Sequence, residues 1–304
     1  MKNVLVTGGA GFVGSYLVRA LIKEGVQVRV VDDLSTGKRE RLSGLPVEFI
    51  EASLFEREKW RPLLAGVDTI FHLAARTSAP ESILNPLDTH AVNVSGTVVV
   101  LEEARTAAVQ RVVYAGSAAV YGDEPSLPKR EDSPIAPQSP YGLTKYMGEE
   151  YCRLYTQVFG LSTVILRYMN IVGAGQDPKS GYAAVIPIFV QKVRDGQPLS
   201  ISGDGTQTRD FVSVDDVVRA NILAARADGV SGETFNIGTG VETSLNDFVE
   251  ALARASGTSS QVMYDPPRPG DIYRSVADVT KARERLGFVA EVPFNEAVRR
   301  AFNS

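Results

Sequence analysis

The segment VLVTGGAGFVG (4–14) sets the tightest limit on how this chain can fold. An apolar, β-branched run ends at Gly8, Gly11 and Gly14, and a helical pattern (12–24) begins at once. Glycines at this spacing permit a tight turn, close approach of a pyrophosphate, and close packing of helix on strand. The helix N-terminus, opened by Phe12 and Val13, then offers unpaired N–H groups and partial positive charge to phosphate. The next strand pattern, VQVRVVD (26–32), brings Asp32 and then Asp33 eighteen and nineteen residues beyond Gly14. A carboxylate there accepts hydrogen bonds from the adenosine ribose and repels a 2′-phosphate, which favours NAD over NADP. Asp32, at the strand end, is the preferred ribose partner and Asp33 the second candidate.

The rest of the first half repeats the alternation. Strand patterns at 3–7, 26–32, 47–50, 68–74, 111–117 and 162–168 are separated by helical patterns at 12–24, 56–65, 86–108 and 141–159. Strands apolar on both faces and spaced by helices predict an α/β fold with a doubly wound parallel sheet. Beyond Asn170 the pattern loosens into short helices at about 183–195, 215–227, 244–256 and 278–286, with strands TFNIG and QVMY among them. The expectation is a nucleotide-binding domain over 1–168 and a smaller mixed α/β substrate domain over 169–304. The segments interleave, because a strand near 233–238 reads as returning to the main sheet.

Composition narrows the class further. With 44% hydrophobic and 22% charged residues and a net charge of −4, the chain reads as an ordinary soluble protein. That balance gives no general pull toward nucleic acid or an anionic membrane, and no apolar run reaches the ~18 residues of a membrane helix. The N-terminus reads as a first strand and not a signal peptide. A single cysteine, Cys152, cannot form an internal disulfide, which suits a cytoplasmic location. Two histidines and no Cys/His cluster predict no metal site; His72 reads as a satisfied strand-end residue and His90 as a surface one.

Two stretches carry chemistry. SPYGLTK places Tyr141 and Lys145 at i and i+4, neighbours on one helix face. A tyrosine with a pKa near 10 is a poor base at pH 7, and lowering it to about 7 takes ~4 kcal/mol of differential stabilisation. A nearby ammonium and a positive nicotinamide ring act in that direction. The second stretch is SAAVYG (117–122), at the end of a strand, whose polar side chains are Ser117 and Tyr121.

The motifs TGGAGFVG, HLAA (72–75), SAAVYG, YGLTK (141–145), LRYMN (166–170), RDFVSVDD (209–216) and RPGDI (268–272) occur in this order along nearly the whole chain. As a set they resemble the extended short-chain dehydrogenase/reductase superfamily, and within it the nucleotide-sugar epimerases and dehydratases. The resemblance implies a Rossmann-type fold with NAD as cofactor and a UDP-sugar as substrate. It implies that Tyr141 is the acid/base, that Lys145 holds the nicotinamide ribose and tunes the tyrosine, and that Ser117 binds the sugar 4-oxygen. Further cofactor contacts implied are Ser53, Leu54, Leu73, Ala74, Ala75, Asn93 and Tyr168. Ser53 stands where many relatives carry an adenine-reading aspartate. For the substrate, Asn170, Arg209 and Arg268 match positions that hold the diphosphate and Asp271 one that contacts its ribose; Ala118, Val185 and Ser275 fall beside the sugar. Helices 86–108 and 141–159 match those through which relatives dimerise.

Ala118 and Ala119 narrow the reaction. Relatives that eliminate water carry carboxylates here to move further protons; alanines cannot. Removal of a hydroxyl proton and reversible oxidation remain, which is enough to invert carbon 4 through a 4-keto sugar. The expected activity is therefore NAD-dependent 4-epimerisation of a UDP-hexose or UDP-N-acetylhexosamine. A UDP-glucuronate 4-epimerase, a dehydratase, a decarboxylase, an NADPH-dependent reductase and a catalytically silent NAD-binding regulator are the alternatives. Ser275 stands where hexose-specific relatives carry a tyrosine, and GYAAVIP (181–187) resembles epimerases acting on N-acetylhexosamines.

Overall fold

A computed structural model of the chain describes residues 1–176, 185–266 and 272–303. The first half supplies β1 (Asn3–Thr7), β2 (Gln27–Asp32), β3 (Glu48–Glu51), β4 (Thr69–His72), β5 (Arg111–Ser117) and β6 (Ser162–Tyr168). The short strands β7 (Asn170–Val172), β8 (Leu199–Ser202), β9 (Thr208–Arg209) and β10 (Phe211–Ser213) precede β11 (Glu233–Ile237). After it come β12 (Thr243–Ser244), β13 (Val262–Asp265) and β14 (Arg274–Ser275). Seven strands form one sheet in the order β11-β6-β5-β4-β1-β2-β3, and every pairing in it is parallel. This is the doubly wound, Rossmann-type sheet. Its order reverses between β1 and β4, and such a switch point opens a crevice at the C-terminal ends of the strands.

The helices are α1 (Phe12–Lys23), α2 (Arg57–Trp60), α3 (Ala79–Leu84), α4 (Pro86–His90), α5 (Gly96–Thr106) and α6 (Pro140–Phe159) in the first half. In the second half they are α7 (Val185–Arg194), α8 (Val214–Arg226), α9 (Leu245–Ser256), α10 (Thr280–Leu286) and α11 (Phe294–Phe302). Strand alternation sends Val4 and Val6 into a core with Leu17, Leu21 and Val217, while Leu5 meets Trp60, Leu101 and Tyr155 on the opposite face. With both faces covered, each fully buried Val or Leu contributes about 1.5–3 kcal/mol relative to exposure. The uninterrupted apolar runs in the sequence follow from that. A third core, around Phe189, Phe211, Phe248 and Leu252, joins α7, α9 and α11 to the small sheets.

Two expected helices break into pieces. The 86–108 pattern forms α4 and α5 joined by a π turn over Ala91–Ser95. The Thr97 hydroxyl donates to the Asn93 carbonyl at 2.6 Å, placing a side chain in the helical ladder at that turn. The 56–65 pattern forms α2 and a 3₁₀ turn, Arg61–Leu64, where Pro62 lacks an N–H. Helices α3 and α11 were not expected from the sequence pattern, nor were several of the two- to four-residue strands.

Candidate active site

The crevice at the switch point is a cleft of ≈ 1360 Å³. Single-ligand pockets run to about 1,000 Å³, so this cleft has room for two nucleotides side by side. Gly8, directly after β1, has φ +70°, and a Cβ there would meet the Ala74 backbone nitrogen at 2.7 Å. A Cβ on Gly14 would lie 2.1 Å from the Gly8 carbonyl oxygen. Gly11 caps α1 without a side-chain hydrogen bond, and the first turn holds no acidic residue. The N–H end of α1 therefore faces the cleft, flanked by Phe12 and Val13. A glycine cradle, a free helix N-terminus and an acid at the next strand end together fit the pyrophosphate and ribose of NAD.

Asp32 and Asp33 both line the cleft. Asp32 is buried and accepts backbone hydrogen bonds from Ala10 at 2.9 Å and Leu34 at 2.8 Å. Burial raises its pKa; the Leu34 and Ala10 N–H groups oppose the shift. Asp33 accepts from the Ser35 backbone N–H at 3.0 Å. Ser53 and Leu54 after β3, and Leu73, Ala74 and Ala75 after β4, form the adjoining wall, with Tyr168 at the end of β6. The Tyr168 hydroxyl donates to Asn221 at 2.9 Å.

Asn93 is the exception. It is buried behind the cleft, at the π turn, and does not line it. Its side-chain oxygen accepts from the Arg76 N–H at 2.8 Å and its amide donates to the Arg76 carbonyl at 2.9 Å. The amide also donates to Thr144 at 3.1 Å. The side chain clasps the loop after β4.

Ser117, Tyr141 and Lys145 meet across the cleft from the glycines. Ser139 caps α6 by accepting from the Gly142 N–H at 3.1 Å, and the Tyr141 N–H donates to Ser82 at 3.0 Å, so the start of the helix is fixed. Burial raises the Tyr141 pKa, and a hydrogen bond to Ser117 opposes the shift. The Lys145 Nζ donates to the Ala115 carbonyl at 2.8 Å. Burial lowers the lysine to about 8, against the opposing pull of Glu149. Ala118 and Ala119 line the cleft next to Ser117 and bring no proton-transfer group.

His72 is a satisfied, buried strand-end residue, as its position predicts. Its ring lies between Thr7 Oγ1 (2.7 Å from Nδ1) and Thr97 Oγ1 (3.0 Å from Nε2). Because the Thr97 proton goes to the Asn93 carbonyl, Nε2 carries the imidazole hydrogen and Nδ1 accepts from Thr7. Burial depresses its pKa to about 3. The ring is neutral and fully engaged.

On the far wall stand Asn170, Arg209 and Ser275. The pairing of β14 with β9 puts Ser275 directly opposite Arg209. The Arg209 guanidinium donates to the Thr208 carbonyl at 2.8 Å. Val185 opens α7. Arg268 and Asp271, and residues 181–184 of GYAAVIP, lie outside the described residues. Phe189 and Lys192 of α7 and Gln207 before β9 also line this wall. They were not expected there; their i, i+3 spacing in α7 marks one helix face but not which cavity that face meets.

Comparison with known proteins agrees with this geometry. Residues 4–238 match the model of the NAD dependent epimerase/dehydratase family. A UDP-glucose 4-epimerase of Mycolicibacterium smegmatis is 41% identical over 303 residues, covering 97% of this chain and 96% of the relative. The crystal structure of a Thermotoga maritima UDP-glucose 4-epimerase with UDP-glucose superposes with a TM-score of 0.94 at 38% identity, covering 99% of this chain and 97% of the other. A UDP-N-acetylglucosamine 4-epimerase from Methanobrevibacter ruminantium, in complex with UDP-N-acetylmuramic acid, superposes with a TM-score of 0.95 at 35% identity, with the same coverage. The glycine cradle, the parallel sheet and the match over 4–238 are features of one family: the chain is a member of the NAD dependent epimerase/dehydratase family.

Proposed function

We propose that this protein is a UDP-sugar 4-epimerase, with residues 1–168 holding NAD and 169–304 holding the sugar nucleotide. The observation that carries the reading is Ser117, Tyr141 and Lys145 gathered in one cleft beside two alanines. When bound, NAD supplies a positive ring and a store for one hydride, taken from carbon 4 and returned to it. Tyr141 accepts the proton of the 4-hydroxyl, with Ser117 orienting that oxygen. Lys145 holds positive charge near the phenolate, and burial of both groups makes that charge count for more than it would in water. The 4-keto sugar would turn about its diphosphate link, and Tyr141 would give the proton back to the 4-oxygen. Arg209 and Asn170 hold the diphosphate meanwhile, and Arg268 and Asp271 are further candidates. Such chemistry needs no third proton carrier, which the alanines at 118 and 119 do not provide. The names of the relatives support the same reaction.

Substrate scope follows from Ser275. A small side chain opposite Arg209 leaves space beside the sugar, so we expect turnover of both UDP-glucose/galactose and UDP-N-acetylglucosamine/galactosamine. A panel of nucleotide sugars scored by NMR for inversion at carbon 4 tests the function, and no inversion of any UDP-sugar refutes it. In the same assay Ser275→Tyr is expected to lower N-acetyl turnover by about 100-fold and hexose turnover by less than about three-fold, because rejection by a clash leaves the chemistry intact. Equal loss of both activities removes Ser275 from the role of gate.

Assembly also follows from an exposed surface. Leu143, Met147, Tyr151, Leu154 and Val158 form one apolar stripe on the exposed side of α6, with Ile83, Leu84 and Leu87 exposed on α3 and α4. A stripe of this length on a helix already buried along its other face supports a contact with a second copy. Sedimentation is expected to give a dimer at micromolar concentration; a single-chain species there refutes it.

A further inference from the structure

Helix α6 carries a third group on the face that bears Tyr141 and Lys145. Glu149 lies one turn beyond the lysine, and its carboxylate is fully buried. It is held by Arg167 of β6, equally buried, through Nε at 3.0 and 3.1 Å and Nη2 at 2.7 Å. Arg153 of the same helix adds a longer contact at 3.3 Å. Taking two charges out of water carries a desolvation cost. A pair of well-packed apolar side chains serves a core at least as well. Stability alone therefore gives little reason for an ion pair here, and its surroundings give another.

Arg167 is paired in register with Gly116, between the carbonyl that holds Lys145 and the residue Ser117. A Cβ on Gly116 would meet Glu149 Oε1 at 3.1 Å. The remaining arm of Arg167, Nη1, donates to the Tyr121 hydroxyl at 2.8 Å and to the Glu131 carbonyl at 3.1 Å. Tyr121 ends the SAAV turn; its ring lies 4.8 Å from the guanidinium, and its hydroxyl donates to Asn236 of β11 at 2.6 Å. One buried guanidinium thus ties the turn that presents Ser117 to the helix that presents Tyr141 and Lys145.

We propose that Glu149 and Arg167 are positioning residues for the reaction: they lock the 117–121 turn against α6 and set a carboxylate one helical turn from Lys145. This rests on the roles given above to Tyr141, Ser117 and Lys145. The groups around the lysine define what the carboxylate does. On its own helix are Tyr141, Glu149 and Cys152; β5 presents the Tyr114 ring at 5.1 Å, and β4 the neutral His72. Burial is the main influence lowering the lysine, and Glu149 is the first of those raising it. Removing that carboxylate makes Lys145 lose its proton at lower pH.

The test uses the full chain with NAD. Glu149→Gln keeps the side-chain volume and deletes the charge. The lysine titration is read by NMR of ¹³C-labelled lysine, with Lys145 assigned by comparison with Lys145→Met. A downward shift of about one pH unit is expected. That reading needs no substrate, so it stands or falls independently of the epimerase assignment. With UDP-glucose, kcat is expected to fall about ten-fold with KM within about three-fold, and the alkaline limb of the kcat profile to move to lower pH. Glu149→Asp, which restores the charge, is expected to recover the pH limb. Tyr121→Phe provides the second arm: it frees the turn and leaves the ion pair, so kcat per folded molecule falls while the lysine titration stays put. An unshifted lysine in folded Glu149→Gln overturns the electrostatic part. Should that variant not fold, wild-type kcat in folded Tyr121→Phe overturns the proposal, and a fall of about ten-fold upholds it.

Discussion

Tyr141→Phe is expected to lower kcat for UDP-glucose about 10³-fold, with KM and bound NAD within about three-fold of wild type. The substitution deletes one oxygen and keeps the ring. Two of the bonds that hold the start of α6 do not involve that oxygen: Ser139 caps the helix and Ser82 accepts the Tyr141 N–H. The fold is therefore expected to hold and the loss to fall on the transition state, where the proposed function has the phenol exchange the 4-hydroxyl proton. Ser117→Ala, which removes a hydrogen bond to the same oxygen, is expected to cost about ten-fold, near the ~1–1.5 kcal/mol of a single bond. Steady-state kinetics with NMR detection of the product separates the two. A Tyr141→Phe enzyme running near wild-type rate removes Tyr141 as the acid/base.

The parts of this site that were legible in the sequence are those where backbone geometry dictates residue type. Gly8 and Gly14 could be recognised because a Cβ at either meets backbone atoms under 3 Å away. Tyr141 and Lys145 could be recognised because helical periodicity puts i and i+4 on one face and the glycine loop upstream supplies the nucleotide context that gives such a pair a role. His72 was readable as a satisfied residue from its place at a strand end. The position of Asn93 behind the cleft has a different origin. A side-chain amide bonds equally well to a ligand or to a loop, and its aim here depends on the π turn of Ala91–Ser95, which no residue pattern announces. Phe189 and Lys192 depend on how α7 docks on the third core, a contact between segments far apart in the chain. Tyr121 belongs to the same class: its partner Arg167 lies 46 residues away and is brought to it by the sheet register. Helices α3 and α11 both carry local signals: α11 buries Ala297, Val298 and Ala301 at helical spacing, and α3 has a cap. Ser78 accepts from the Glu81 N–H at 3.1 Å as an N-cap, and Pro80 follows in the first turn.

Gly14→Ala is expected to yield a protein that purifies without NAD and has at least about 100-fold less activity at any NAD concentration up to millimolar. The added Cβ would stand 2.1 Å from the Gly8 carbonyl oxygen and 2.8 Å from the Gly9 Cα. Both neighbours are backbone, so no rotamer relieves the contact. Helix α1 or the glycine turn must retreat by on the order of 1 Å to reach ordinary van der Waals separation. A displacement of that size at a site built on close approach costs about 10² in rate. It falls on the N–H groups that face the pyrophosphate. Gly25→Ala is the control, because it separates crowding from conformational strain. Gly25 has φ +78°, and a Cβ added there would have nothing within 4 Å, so its cost is the roughly 1–2 kcal/mol of a left-handed non-glycine residue. It is expected to lower the thermal midpoint by a few degrees while NAD content and turnover stay at wild-type values. Gly14→Ala with stoichiometric NAD and wild-type turnover would mean that the close approach of helix and turn is not what holds the cofactor.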